Sequence, residues 1–137
     1  MRAFRISVLI VLIAKLGLAA TPQEESRFLD AVRDAYSKKD KAAIMDLYCW
    51  DDVNPQTKTF FPIFHDYPHD VLSVSYVTNF VYRPDSTNTG VPFVPNLVPV
   101  KKIEIVFKVE PPAHSWLMEF AGEKDGKLML VQQKVVK

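Results

Sequence analysis

The hydrophobic pattern of this chain changes its period once, close to residue 70. Between Phe28 and Tyr48, apolar residues recur at three- and four-residue steps, which is the spacing of amphipathic helices. From Val71 onward they alternate with polar residues, which is the spacing of strands with one buried face. Helices followed by strands with short links predict an α+β fold, in which N-terminal helices pack on a curved antiparallel four-stranded sheet.

Capping residues mark where the helices are expected to begin. Thr21 is followed by a proline and then by Glu24, so a capping box opens the first helix. Asp40 is the expected N-cap of the second helix, and Pro62 is expected to end the third or to lie just beyond it. The three predicted helices cover about 22–38, 40–48 and 55–61.

Alternation predicts four strands after residue 70. They cover residues 71–82, 102–110, 116–120 and 128–135. In the third strand Trp116, Met118 and Phe120 are expected to face the core. Glu119 is then expected to face water, since neighbouring strand residues point to opposite faces. Asp125-Gly126 predicts a tight hairpin turn before the last strand.

The first twenty residues have the composition of an export signal. Two arginines precede an apolar run over residues 6–14, and Gly17 and Ala19 supply the small residues that a signal peptidase needs. The run is too short to cross a hydrocarbon core of about 30 Å as a helix. We therefore predict a signal peptide over 1–20, one domain over 21–137, and periplasmic or secreted localisation. An uncleaved N-terminal anchor is the alternative.

The charge of the chain argues against two classes of partner. The formal net charge is +1, and residues 1–20 hold three positive charges and no acid, so residues 21–137 carry −2. The sequence has neither a basic patch typical of nucleic-acid binding nor a basic amphipathic stretch typical of membrane surfaces. We therefore expect no nucleic-acid partner, and no membrane contact after signal cleavage.

The sequence lacks the common motifs of catalysis and cofactor binding. Cys49 is the one cysteine, so it cannot form an internal disulfide, and it is expected to be a buried apolar residue. The 137 residues include four glycines, no phosphate-binding loop and no catalytic-triad order. We predict no cofactor and no catalytic residue.

The segment FHDYPHD, residues 64–70, contains two His-Asp pairs. His65 and His69 are weak candidates for metal ligands, since imidazole and carboxylate groups suit zinc. The two histidines would need one helical face, but Pro68 disfavours a helix there. We therefore predict no metal site, and a polar corner between the helices and the first strand.

The stretch FLDAVRDAYSKKDKAAIMDLY resembles the opening of the nuclear transport factor two-like superfamily. The matching positions are Phe28, Ala35, Tyr36, Asp40, Leu47 and Tyr48. The resemblance implies a cone-shaped roll over about residues 22–136, with helices packed into a strongly bent sheet. The superfamily includes ketosteroid isomerases, dehydratases, epoxide hydrolases and many domains that only bind or dimerise.

An isomerase of that superfamily would need a general-base carboxylate and acidic hydrogen-bond donors inside its pocket. The predicted strands place Glu104 and Glu119 on the polar face, so only the fold is expected to carry over. A single bulged residue would turn either side chain inward.

Two functions follow from these expectations. The leading one is a non-enzymatic exported domain that forms a homodimer, or binds a protein partner, through the exposed face of the sheet. That face is expected to carry Val77, Val81, Val106 and Leu117 among polar residues. The alternative is an enzyme or carrier with a hydrophobic pocket for a small apolar molecule. The expected lining residues of that pocket are Tyr48, Trp50, Tyr76 and Trp116.

Overall fold

A computed structural model of the chain describes residues 20–64, 66, 68–84, 93–109 and 114–135. The predicted export signal, except its last residue, lies outside these ranges. The helices are α1 (Pro22–Ser37), α2 (Lys41–Asp46) and α3 (Pro55–Phe64). The strands are β1 (Val71–Tyr76), β2 (Pro99–Lys108), β3 (His114–Lys124) and β4 (Lys127–Leu130). The strands form an antiparallel sheet in the order β1-β2-β3-β4. The helices pack on one face of it, which confirms the predicted α+β fold class.

Helix α1 begins as the capping box predicts. The Thr21 hydroxyl accepts a hydrogen bond from the Glu24 N–H at 3.1 Å, and a proline occupies the first turn. The Glu24 carboxylate also accepts a hydrogen bond from the Leu128 N–H at 2.8 Å, which ties the first turn of α1 to β4. The buried residues of α1 are Phe28, Val32, Ala35 and Tyr36. The predicted apolar face of this helix is therefore its packing face.

Helix α1 ends in a left-handed turn at Lys39, where the backbone φ angle is 54°. The Lys39 N–H donates to the Tyr36 carbonyl at 3.2 Å, and the Asp40 N–H donates to the Ala35 carbonyl at 3.1 Å. This pair of bonds is the Schellman motif, which usually places glycine at the left-handed position. The backbone at Lys39 is therefore strained for an L-residue with a side chain.

The substitution Lys39→Gly is expected to raise the free energy of unfolding by roughly 0.5–1 kcal/mol, because glycine adopts this φ without strain. The ion pair of Lys39 with Asp70 is exposed on both sides, so its loss offsets little. Urea denaturation measures the change. The matched control is Lys38→Gly, where φ is −81° and glycine is expected to destabilise by about 0.5–1 kcal/mol. Equal destabilisation by both glycines would contradict the strain argument.

Helix α3 passes through Pro62, which lies inside the helix, and ends at Phe64. The prediction that Pro62 ends this helix or lies just beyond it was therefore wrong. A proline removes one N–H donor and leaves the carbonyl four residues earlier without its helical partner. That residue, Lys58, is exposed, so water can solvate its carbonyl group.

Strand β1 is shorter than predicted and ends at Tyr76 instead of residue 82. Asn79 takes a left-handed conformation with a φ of 57°, which an extended strand does not allow. Near its start, Val71 pairs with Phe107 and Ser73 pairs with Val106, so Leu72 sits in a bulge and is exposed.

In strand β2 the predicted side chains are buried against the helices, namely Ile103, Ile105 and Phe107.

In strand β3 the side chains that face the helices are the ones predicted to face water. Its Leu117 pairs with Ile105 and its Glu119 pairs with Ile103, and paired residues of an antiparallel sheet point to the same face. Leu117 and Glu119 therefore face the helices.

Trp116 and Met118 lie on the other face of the sheet, with 60% and 46% of their surfaces exposed. The prediction that these two side chains face the core was wrong. Both faces of β3 have apolar residues, so the sequence pattern alone does not show which face is buried. The pairing of β3 with β2 decides which side chains face the helices.

Strand β4 follows the predicted hairpin turn. Asp125 and Gly126 have φ angles of 52° and 78°, which are the left-handed values of a type I′ turn. The strand ends at Leu130, five residues before the predicted end. Its outer edge is covered, because the Cys49 N–H donates to the Leu130 carbonyl at 2.8 Å and the Leu130 N–H donates to the Leu47 carbonyl at 2.7 Å. Cys49 is buried, as predicted.

Candidate functional site

Three polar side chains form a hydrogen-bonded chain between the helices and the sheet. The Tyr48 hydroxyl donates to the Glu119 carboxylate at 2.9 Å. The Tyr36 hydroxyl lies 3.4 Å from the Tyr48 hydroxyl. Tyr36 and Tyr48 are among the most buried side chains of the protein, and Glu119 is half-buried. We call this group the Tyr36–Tyr48–Glu119 chain.

Each member of this chain is held by a different element. Tyr36 stands in the last turn of α1 and packs against Phe107, with ring centroids 6.2 Å apart. Tyr48 follows α2 and is fixed by its bridge to Leu130 of β4. Glu119 is placed by the register of β3 on β2. The chain therefore forms only when helices and sheet have docked.

The pKa values of the chain members differ from those of exposed side chains. Burial raises the pKa of Glu119 to about 7, although the hydrogen bond from Tyr48 acts in the opposite direction. The pKa of Tyr48 is well above its usual range because the ring is buried and because the Glu119 carboxylate is close. Near neutral pH, Glu119 is therefore divided between its neutral and ionised forms, and Tyr48 is neutral.

The four predicted pocket residues do not lie together but occupy three different parts of the structure. Tyr48 and Trp50 lie together, with ring centroids 5.9 Å apart, and both pack on Phe61. The Trp50 indole N–H donates to the Met45 carbonyl at 2.9 Å. Their role in binding stays a prediction.

The other two predicted residues lie away from this aromatic group. The Tyr76 hydroxyl donates to the Glu25 carbonyl of α1 at 2.5 Å, and Lys101 lies over the Tyr76 ring. Trp116 is on the opposite face of the sheet, so it does not share a pocket with Tyr48. Glu119 and Tyr36, which do contact Tyr48, were not among the predicted site residues. Only the register of β3 could have identified Glu119.

The second feature is the face of the sheet that points away from the helices. We define the outer face as Ser73, Ser75, Lys102, Glu104, Val106, Lys108, Trp116 and Met118. Trp116 pairs directly with Val106, and Met118 pairs with Glu104. Trp116 is the third residue of β3, before the part of that strand that pairs with β4. Of the predicted exposed residues, Val106 is on this face, whereas Leu117 is on the helix side.

One end of the outer face is already covered by the chain itself. Phe80, Tyr82 and Phe93 pack around Phe120, with ring centroids 5.6, 5.8 and 6.2 Å away. Lys102 lies over the Phe120 ring at 5.8 Å. Of the large apolar side chains on the outer face, Trp116 and Met118 are exposed to solvent.

The corner at residues 64–70 was the predicted site of two weak metal candidates. His65 lies outside the described residues, and His69 is exposed. The described part of the chain contains no group of three side chains able to hold a metal ion. Asp70 lies 3.4 Å from Lys39, and Asp66 lies 3.9 Å from Lys41, so both acids face lysines at the α1–α2 turn.

By its fold the protein is a small α+β domain with helices on one face of a half-barrel sheet. No helix within the described ranges is long and apolar enough to cross a membrane. Comparison of the chain with models of protein families, with curated proteins and with solved structures found no match.

Proposed function

We propose that this protein is a non-enzymatic association domain that forms a homodimer through its outer face. One observation carries the proposal, namely that Trp116 is 60% exposed on the outer face of the sheet. Tryptophan is among the side chains most enriched at interfaces, and burying it in a partner removes a large apolar area from water. Met118 and Val106 beside it extend the apolar area.

A second copy of this chain is the partner that the charges favour. Strand β2 presents Lys102, Glu104 and Lys108 on the outer face, so both signs of charge surround the apolar centre. A two-fold interface joins the same surface on both protomers and must therefore be self-complementary. A face with both signs meets this condition, because the acid of one protomer can approach a lysine of the other.

The substitution Trp116→Ala is expected to raise the dimer dissociation constant at least about tenfold, the usual result of removing a central aromatic anchor. Analytical ultracentrifugation of the protein over about 1–100 μM measures the constant. The matched control is Ile63→Ala, which removes a 67% exposed side chain from α3, on the helix layer of the protein. It is expected to leave association unchanged. A monomer at every concentration would overturn the proposal.

Charge-reversal variants of the outer face distinguish homodimerisation from binding to a different partner. Glu104→Lys makes all three β2 charges of the outer face positive, and the double variant Lys102→Glu, Lys108→Glu makes them negative. Each variant alone is expected to dimerise more weakly, because like charges would meet. An equimolar mixture is expected to form a heterodimer. Failure of the mixture to associate would contradict a self-complementary interface.

A second candidate function is a carrier or enzyme for a small apolar molecule. It is favoured by the Glu119 carboxyl group, which faces the helix layer and contacts Tyr48. A shallow groove of about 570 Å³ on α1 is lined largely by charged residues and does not suit such a ligand. Native mass spectrometry of gently purified protein tests this function. An added small-molecule mass that Glu119→Gln abolishes would support it.

We propose in addition that the domain is exported. The support is the two arginines, the apolar run over residues 6–14 and the small residues that follow. The mass of the protein purified from the medium or periplasm tests this, since cleavage removes about twenty residues. An intact N-terminus would favour an anchor instead.

A further inference from the structure

Glu119 is a carboxylic acid on a central strand that points toward the helix layer. Its neighbours on the sheet are apolar, with Ile103 directly across on β2 and Ala121 two positions along β3. Both of these residues are fully buried. Among the described residues, Tyr48 is the hydrogen-bond partner of the carboxyl group, and it is a neutral donor. The carboxyl group therefore has a polar contact but no counter-charge.

The cations on this side of the sheet are engaged elsewhere. In the first turns of α1, Arg27 pairs with Glu24. Lys101 of β2 pairs with Glu25 at 2.9 Å. Arg33 of α1 pairs with Asp30 and contacts the Val74 carbonyl of β1. Lys58 of α3 lies over the Trp50 ring. Other described groups near the sheet include the Tyr36 and Tyr76 phenols and the exposed Lys124–Asp51 pair at the end of β3. β4 contributes Leu128 and Leu130, and α3 contributes Phe61. An ionised Glu119 would thus be a charge with no cation opposite it.

The residues around Tyr48 connect this carboxyl group to the rest of the fold. Leu47 and Cys49 hold the edge of β4 through two main-chain hydrogen bonds to Leu130. Trp50 packs on the Tyr48 ring and on Phe61. We call residues 47–50 the bridging segment, because it joins the helix layer to the sheet edge.

We propose that Glu119 is a pH-responsive element, and that its ionisation draws water into the contact between β3 and the bridging segment. Burial raises the pKa of this group to about 7, so the change falls near neutral pH. The proposal is independent of dimer formation, because Glu119 faces the helices and the outer face is on the other side of the sheet.

The fluorescence of Trp50 tests the proposal. The protein has two tryptophans, so the Trp116→Phe variant makes Trp50 the single reporter. Its emission is expected to shift to longer wavelength with a midpoint near pH 7, as water reaches the ring. Glu119→Gln in the same background is expected to abolish the shift. It changes no other ionisable residue, so a transition with a cause other than Glu119 would persist. Tyr48→Phe is expected to move the midpoint to higher pH, because the hydrogen bond that favours the ionised form is lost.

A direct titration keeps the proposal testable if Glu119→Gln fails to fold. Carbon-detected NMR of the full chain with labelled glutamate follows each carboxyl carbon against pH. One glutamate is expected to titrate near pH 7. The proposal is overturned if all glutamates titrate near their usual range, if Trp50 shows no transition between about pH 5 and 9, or if the transition persists in Glu119→Gln.

Discussion

The free energy of unfolding is expected to fall as pH rises from about 4.5 to 7, by at most about 3 kcal/mol. The cause is Glu119, whose pKa is about 7 in the folded protein and 4.5 as a free side chain. Between these values the folded state binds more protons than the unfolded state, so stability decreases with pH. Below 4.5 both states are protonated and above 7 both are ionised, so the contribution is constant outside this window.

The variant Glu119→Gln isolates this contribution. It is expected to unfold with nearly the same free energy as the parent at pH 4 and with up to about 3 kcal/mol more at pH 8, because an amide carries no charge. Urea titrations at several pH values measure the difference. Glu104→Gln is the matched control, since it changes a carboxyl group on the outer face and should keep the fall in stability. Parallel stability curves for parent and Glu119→Gln would refute the expectation.

Glu24 changes the free energy of unfolding in the opposite direction to Glu119 and over a lower pH range. Arg27 and the Leu128 N–H hold the pKa of Glu24 at about 2, although partial burial opposes them. Stability from this group is present above pH 4.5 and is lost as pH falls toward 2. The two contributions together predict maximal stability in mildly acidic solution, before any other titrating group is considered.

The substitution Gly122→Ala is expected to lower the free energy of unfolding by roughly 2–3 kcal/mol. A Cβ atom there would lie 2.6 Å from the Leu97 Cβ and 2.8 Å from the Val98 carbonyl oxygen. Neither atom belongs to a flexible side-chain end, so the main chain at residues 97–98 must shift. That shift would strain the pairing of Gly122 with Pro99, where the register of β2 on β3 is already irregular.

Gly126→Ala is the matched control for this substitution. A Cβ atom at Gly126 meets nothing within 4 Å, but the φ angle of 78° disfavours alanine. The expected loss is about 1 kcal/mol, from backbone strain alone. Chemical denaturation of both variants measures the two losses in free energy of unfolding. The loss at Gly122 comes from a steric clash, and the loss at Gly126 comes from backbone strain. A loss at Gly122 no larger than that at Gly126 would show that the segment before β2 moves freely.

Local sequence determined the helix starts, the hairpin turn and the phase of β2. Thr21 and Asp40 cap α1 and α2 because a side-chain oxygen accepts a main-chain N–H three residues later, within one turn of chain. Asp125-Gly126 forms its turn because both residues tolerate a left-handed φ. Strand β2 alternates charged and apolar side chains, so only one of its two phases buries the apolar set.

The tertiary structure alone decided the phase of β3, and with it both candidate sites. This strand has Trp116 and Met118 on one face and Leu117 and Ala121 on the other, so burial of apolar side chains gives no clear preference for either phase. Pairing with β2 and the docking of α1 and the bridging segment selected the phase that exposes Trp116 and turns Glu119 inward. Those contacts join residues far apart in the chain, and no pattern within a strand encodes them.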